Sequence, residues 1–280
     1  MVKIVTDTGS DISPELAQQL DITLVPLYVR FGEKVYRDGI DIDPDELYQR
    51  LETDPIHPTT SAPSPGDFTE TYKKLARESD SIVSIHLTSK LSATYDAALQ
   101  GREALTETKC QVEIVDSRSI TAGLALITIA AATAAKAGES LSRVLAQAHN
   151  AIRQIRMVGL LDTLKYVAKG GRIGKAASLL GTALNVKPML TLRDGEVHPA
   201  GLARTRDRGI ARLCDFVKAA VHVQDLALAC STRDSSFQTL VEKIAILLPK
   251  IRPKIFRIGA ALGVHAGPGV LLVAIREGER

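Results

Sequence analysis

Tryptophan is missing from the 280 residues, and only six Tyr and five Phe are present. Proteins that grip single-stranded nucleic acid stack bases on aromatic rings, so this composition argues against that class. An excess of one charge is missing too: 35 Lys and Arg stand against 32 Asp and Glu, a formal net charge of +3. The basic residues are scattered among acids, and no nucleic-acid partner is expected. Cysteine is scarce. Cys110, Cys214 and Cys230 are odd in number, far apart and set in apolar runs, which argues against a disulfide framework or a thiolate metal set. Reduced thiols in a cytoplasm are the economical reading. Long apolar runs are lacking as well. The most hydrophobic stretch, Thr121 to Gly138, is short for a membrane span and reads as a buried helix. The opening MVKIVTDTGSD reads as a strand, with no signal peptide.

Familiar catalytic patterns are also absent or incomplete. Asp7-Thr8-Gly9-Ser10 spells the aspartic-protease tetrapeptide, but that chemistry needs two carboxylates sharing a proton and one copy is present. Gly170-Gly171-Arg172-Ile173-Gly174-Lys175-Ala176 is not a nucleotide-binding P-loop. Three residues separate its glycines and Ala follows the lysine, where the motif needs four residues and Ser or Thr. No G-x-S-x-G elbow and no metal-ligand spacing occur. No catalytic residue, metal or cofactor is assigned.

What is there begins with hydrophobic content of 45% and charged content of 24%, ordinary values for a globular protein. At this length two domains are expected. Residues 1–156 alternate strand and helix, which predicts a parallel α/β sheet. The strands are Val2–Thr6, Ile22–Phe31 broken at Pro26, Ile82–Leu87 and Val112–Val115. The helices open at Ser13-Pro14 and Asp43-Pro44, run over Pro65–Ser79, start within the Thr88–Thr94 stretch, and cover Thr121–Ala137 and Leu141–Ile155. Residues 157–280 change character. A hairpin flanks Arg193-Asp194-Gly195-Glu196, mixed with helices over 206–221 and 236–247. The second domain is expected to be a mixed-sheet α+β unit.

Four hydroxyls, on Thr59, Thr60, Ser61 and Ser64, lie in the proline-stiffened loop His57–Phe68. A rigid backbone with small donors suits holding an oxyanion. Ser64-Pro65 is a good helix start and takes Ser64; Thr60 and Ser61 stay open. Thr88–Thr94 lies where a parallel strand meets a helix, an edge at which open α/β sheets bind ligands. There Ser89 is the natural cap and Ser92 falls inside the helix's first turn. Arg172, in its glycine-rich turn, points at an anion or is a surface arginine. His265, before Gly-Pro-Gly, is a proton shuttle, a ligand contact or a loop residue. Arg204, Arg206 and Arg208 form a solvated face or a phosphate or partner contact.

Thr60-Ser61-Ala62-Pro63-Ser64, Leu91-Ser92-Ala93-Thr94, Lys169-Gly170-Gly171-Arg172 and His265-Ala266-Gly267-Pro268-Gly269 together resemble the bacterial DegV family. The likeness covers nearly the whole chain, since Asp7-Thr8 and the Asp38-Gly39 turn also fit. It implies two α/β domains with a long-chain fatty acid such as palmitate buried between or beneath them. It further implies the acyl-carrier subunit of an ATP-dependent fatty acid kinase. By the same resemblance Thr60 and Ser92 bind the carboxylate. Ser61, Arg172, Arg204 (with Arg206 one turn away) and His265 become head-group or partner contacts. The family usually has glycine where this chain has Ala93, whose methyl narrows backbone approach. A small-molecule phosphotransferase or hydrolase, and a lipid-sensing regulator, are the alternatives. Missing nucleotide loop, nucleophile–base pair and metal set favour the carrier.

Overall fold

The computed structural model describes residues 1–106, 108–181 and 186–278. β1 (Val2–Asp7) leads through a short 3-10 turn to α1 (Pro14–Gln19), capped by Ser13. β2 (Ile22–Val25), β3 (Tyr28–Phe31) and β4 (Lys34–Arg37) follow, then α2 (Pro44–Thr53), capped by Asp43. The hydroxyl-rich loop contains β5 (Thr59–Ser61) and delivers the chain to α3 (Pro65–Leu75), which Ser64 and Asp67 close with a reciprocal capping box. β6 (Ser81–His86), α4 (Thr94–Glu103) and β7 (Gln111–Asp116) complete the first α/β alternation. α5 (Thr121–Lys136) and α6 (Leu141–Gln154) lead into β8 (Ile155–Leu160) and the short α7 (Lys165–Lys169). Then come the hairpin β9 (Lys187–Arg193) and β10 (Glu196–Ala203), α8 (Arg206–Lys218), β11 (Val223–Cys230) and α9 (Ser235–Leu247). β12 (Lys254–Arg257), α10 (Ala260–Ala266) and β13 (Leu271–Glu277) end it.

The expected fold class is present. A four-stranded sheet, ordered β2-β1-β6-β7, is parallel throughout. A six-stranded sheet, ordered β10-β9-β8-β13-β11-β12, is mixed, with β11 and β12 as its parallel pair. Strand periodicity divides the cores cleanly. Val158 and Leu160 of β8 join α8 and α9 on one side, while Met157 and Leu161 face the other way. α3 and α4 cover the outer face of the parallel sheet through Phe68, Tyr72 and Ala98. Between the sheets lies α5, which packs on β1, β6, β8, β11 and β13. A helix apolar all round belongs in such a place; Leu124, Ala125, Leu126 and Ile127 are fully buried.

Four local expectations change. The segment 22–31 is two strands in different sheets, because Pro26 lacks an N–H and ends β2's ladder. The loop carries an unforeseen strand, β5, pairing antiparallel with β3 (Val29 with Thr60) beside β4; three residues between prolines are too few to show a period. The helix expected to begin at Ser89 starts at Thr94, with Ala93 at its cap position, and Ser89 instead donates to Asp116 at 2.6 Å. His265 lies in the last turn of α10, ended by Gly267 in the left-handed region at φ 74°, where glycine alone is unstrained.

α10 is held from a distance. Its first N–H groups donate to carboxylates far away in sequence: Gly259 to Asp11 at 2.8 Å and Ala260 to Asp38 at 2.9 Å. Burial pushes the Asp38 carboxyl up to about 6, against the opposing pull of Thr8 and the α10 amides, and burial pushes Asp11 up as well. A carboxyl raised in the folded state binds protons more tightly there than in the unfolded chain. Its contribution is whole below about pH 4 and is lost as pH rises through about 6. Asp38→Asn keeps an acceptor for Ala260 and cannot ionise. Urea unfolding should show it more stable than the parent at neutral pH, by up to about 3 kcal/mol, and equal below about pH 4. Parallel pH profiles for the two proteins would refute this assignment.

Candidate functional site: an apolar cavity with one polar end

A cavity of about 240 Å³ opens where the carboxyl ends of the parallel strands meet the inner face of the mixed sheet. Leu87 and Leu91 follow β6, Ile120 and Thr121 follow β7, and Met157, Leu190 and Leu272 rise from the mixed sheet. α10 supplies Ala261, Leu262, His265 and Ala266 as a side wall. Gly159 contributes space: a methyl there would meet nothing nearer than 3.7 Å. The walls are mostly aliphatic; Thr60, Ser61, Ser92, Arg172 and His265 are polar lining, and Thr121 and Thr191 add two more hydroxyls.

Five of the six residues expected at a head group are therefore brought together. Pairing of β5 with β3 fixes Thr60, whose hydroxyl lies 2.7 Å from His265 Nε2 although 205 positions separate them. Ser61 lines the mouth and is exposed. Ser92 sits just ahead of α4, its hydroxyl accepting from the Thr94 N–H at 3.3 Å and lying 2.8 Å from Thr94 Oγ1. Arg172 donates through Nε to the Leu91 carbonyl at 3.2 Å and through Nη1 to the Gly170 carbonyl at 2.7 Å. The first bond ties the glycine-rich turn to the Ser92 loop, and the second braces the turn itself.

Arg204 is the exception. It is exposed after β10 and does not line the cavity. Thr205 caps α8 and turns the chain, so that Arg206 points back instead, donating to the Gly269 carbonyl and to Asp162 at 3.0 Å. Arg204 thus stands apart from the cavity lining and faces outward.

Arg172 is the one charged side chain at the polar end. Burial, and then the Arg172 cation and His57, depress His265 to about 4, so the imidazole is neutral at neutral pH. Its Nδ1 is buried without a protein partner against Gly170, where a methyl would come within 2.0 Å of that nitrogen. Gly170 is therefore needed for the ring to sit where it does. Nothing local in the sequence marks this contact, nor a role for His57, whose ring lies 6.0 Å from Tyr166 and which burial also holds below the usual histidine range.

Two arrangements resemble catalytic machinery. Thr60 with His265 is a hydroxyl–imidazole pair, but a base near 4 is too weak to take a hydroxyl proton, and no carboxylate orients Nδ1. Ser84, His86 and Asp7 form a chain at 2.7 and 2.9 Å, extended by Tyr72 at 2.8 Å. All four are fully buried, with Phe68 packed on the His86 ring. Asp7 also accepts from Leu87 N–H and Gly9 N–H, so the chain braces the strand ends that lead to the cavity. Among the described residues no group of three His, Cys, Asp or Glu side chains could hold a metal ion, and no helix is long and apolar enough to cross a membrane.

The same architecture recurs in known proteins. A family model described as an uncharacterised protein family, DegV, matches residues 1–277. A DegV domain-containing protein of Deinococcus radiodurans is 32% identical over 280 residues, covering 98% of each chain. A DegV family protein from Thermus thermophilus, solved in a study of its fatty acid binding, superposes with a TM-score of 0.91 at 30% identity and 99% coverage of both chains. A stearic acid-binding protein from Eubacterium ventriosum superposes at 0.87, with 26% identity over 99% of this chain and 98% of that one. The chain belongs to the DegV family.

Proposed function

We propose that the protein is a cytoplasmic carrier that binds one long-chain fatty acid in the apolar cavity. It presents the carboxylate to a separate ATP-dependent kinase subunit, which converts it to an acyl phosphate. The observation that carries the reading is a mostly aliphatic cavity whose polar lining includes Thr60, Ser92, Arg172 and a neutral His265. Fatty acid binding by the relatives from Thermus thermophilus and Eubacterium ventriosum supports it.

The energetics divide between tail and head. Each buried methylene contributes roughly 0.8 kcal/mol, so a palmitoyl chain gains on the order of 10 kcal/mol before ordering costs. A carboxylate cannot enter such a site unpaired. Hydroxyl donors to a charged group contribute about 1.5–3 kcal/mol each, enough to fix position. Arg172 spends two of its five N–H donors on backbone carbonyls, so its grip on a carboxylate is weaker than that of an untethered guanidinium. Thr60 and Ser92 hold the ligand, and the chemistry belongs to the partner.

Mass spectrometry of an organic extract of the purified protein should find fatty acid in near-stoichiometric amount; an empty protein would sink the carrier reading. Thr60→Ala combined with Ser92→Ala should weaken palmitate by about 3–6 kcal/mol in fluorescent fatty acid displacement; unchanged affinity would place the head group elsewhere. Incubated with ATP and Mg²⁺ alone, the loaded protein should yield no hydroxamate when trapped with hydroxylamine, since no catalytic group is assigned to it. His265 should titrate near 4 in the ligand-free protein by NMR. Its folded pKa lies below the unfolded value of about 6.5, so its stabilising effect is lost as pH falls from there towards 4. A midpoint near 6.5 would remove the neutral-head argument.

A further inference from the structure

A second, shallow hollow of about 270 Å³ lies outside the cavity, and the two share Leu91, Arg172 and Val197 as a common wall. Its charged lining is Lys90, Arg172, Lys175 and Glu196. Resting on the carrier reading, we propose that this hollow seats the phosphoryl group of the acyl phosphate, with Lys90 and Lys175 as its added cations.

The argument starts from charge. Transfer forms a bond from the carboxylate oxygen to the γ-phosphorus of ATP and breaks the bond from that phosphorus to the β-phosphate oxygen, which leaves with ADP. The head group passes from one negative charge to two and grows by a whole phosphoryl group. The cavity's polar end, with neutral donors and one tethered arginine, suits the carboxylate and not the dianion. The hollow has three cations against one acid, on the far side of the same Arg172. Two of the cations come from segments already fixed at the site. Lys90 stands two residues before Ser92, with its stem over the hairpin turn: a methyl on Gly195 would lie 3.4 Å from Lys90 Cγ. Lys175 stands three residues after Arg172 in the glycine-rich turn. Its Nζ is 3.1 Å from Glu196, in an ion pair exposed by 65% and 41%. A pair so exposed is weak, so Lys175 can leave Glu196 for a dianion. Lys175 first and Lys90 further down hold Glu196 below the usual carboxylate range, as expected of an anion placed among surplus cations. The incomplete P-loop pattern thus acquires a reading as an anion-holding turn without nucleotide specificity.

The test compares palmitate with (2-oxoheptadecyl)phosphonate, in which a methylene replaces the bridging oxygen of palmitoyl phosphate. Both are measured by displacement of a fluorescent fatty acid. Lys90→Ala with Lys175→Ala should weaken the phosphonate by about tenfold or more and leave palmitate within about twofold, and Glu196→Gln should tighten the phosphonate. Thermal melts check that the variants are folded. Loss of both ligands in equal measure, or a phosphonate affinity indifferent to all three substitutions, overturns the subsite. A wild-type protein that fails to bind palmitate at all would instead overturn the carrier reading beneath it.

Discussion

Helix α5 has no polar face to offer water, and most of the architecture follows from where such a helix can go. It lies between two sheets, touching β1 and β6 of one and β8, β11 and β13 of the other. Each sheet therefore needs an apolar inner face as well as an outer face for its own helices. Burying α5 forms a single core to which both halves of the chain contribute, from Val83 and Ile85 to Ala229 and Leu272. The cavity lies at the end where α5 begins, beside Ile120 and Thr121, and α10 closes one side of it.

Given that space, the decisive variable is charge at its one polar end. An apolar cavity with a strong ion pair at its mouth would be a trap. Here the cation is tethered by two carbonyls, and the imidazole is kept neutral by burial and by that cation's field. The two effects are coupled: Gly170, whose carbonyl holds Arg172, is also the residue on which the His265 ring rests. A side chain at 170 would displace the imidazole and disturb the arginine together.

Legibility in the sequence followed the length of the signal. Long, periodic or well-capped elements were readable: α5 from its alanine-rich apolarity, α2 and α3 from Asp43-Pro44 and Ser64-Pro65, the β9–β10 hairpin from its Asp-Gly turn. β5 and α10 were not, because three and seven residues are too short to display a period, and long-range pairing with β3 and docking on α2 create them. Of the site, the hydroxyls and Arg172 were legible as residue types in stiff turns. Arg204 against Arg206 was not, since a single cap at Thr205 decides which of the two turns inward. Gly170 under His265 was not either, because nothing local marks a contact across 95 positions.

Ala93 shows how backbone geometry settles what composition leaves open. A glycine at this position would matter most if the backbone needed a left-handed turn, but Ala93 sits at φ −78° and ψ 6°, which any residue adopts. Its methyl therefore brings no conformational strain and acts only through space, at the cavity wall beside Ser92. Ser92 meanwhile accepts from the Thr94 N–H and lies within hydrogen-bonding distance of its hydroxyl. Its rotamer is thus held by the start of α4 rather than by the neighbouring residue. The Ala93 methyl thus borders the Ser92 donor at the cavity wall without straining the backbone.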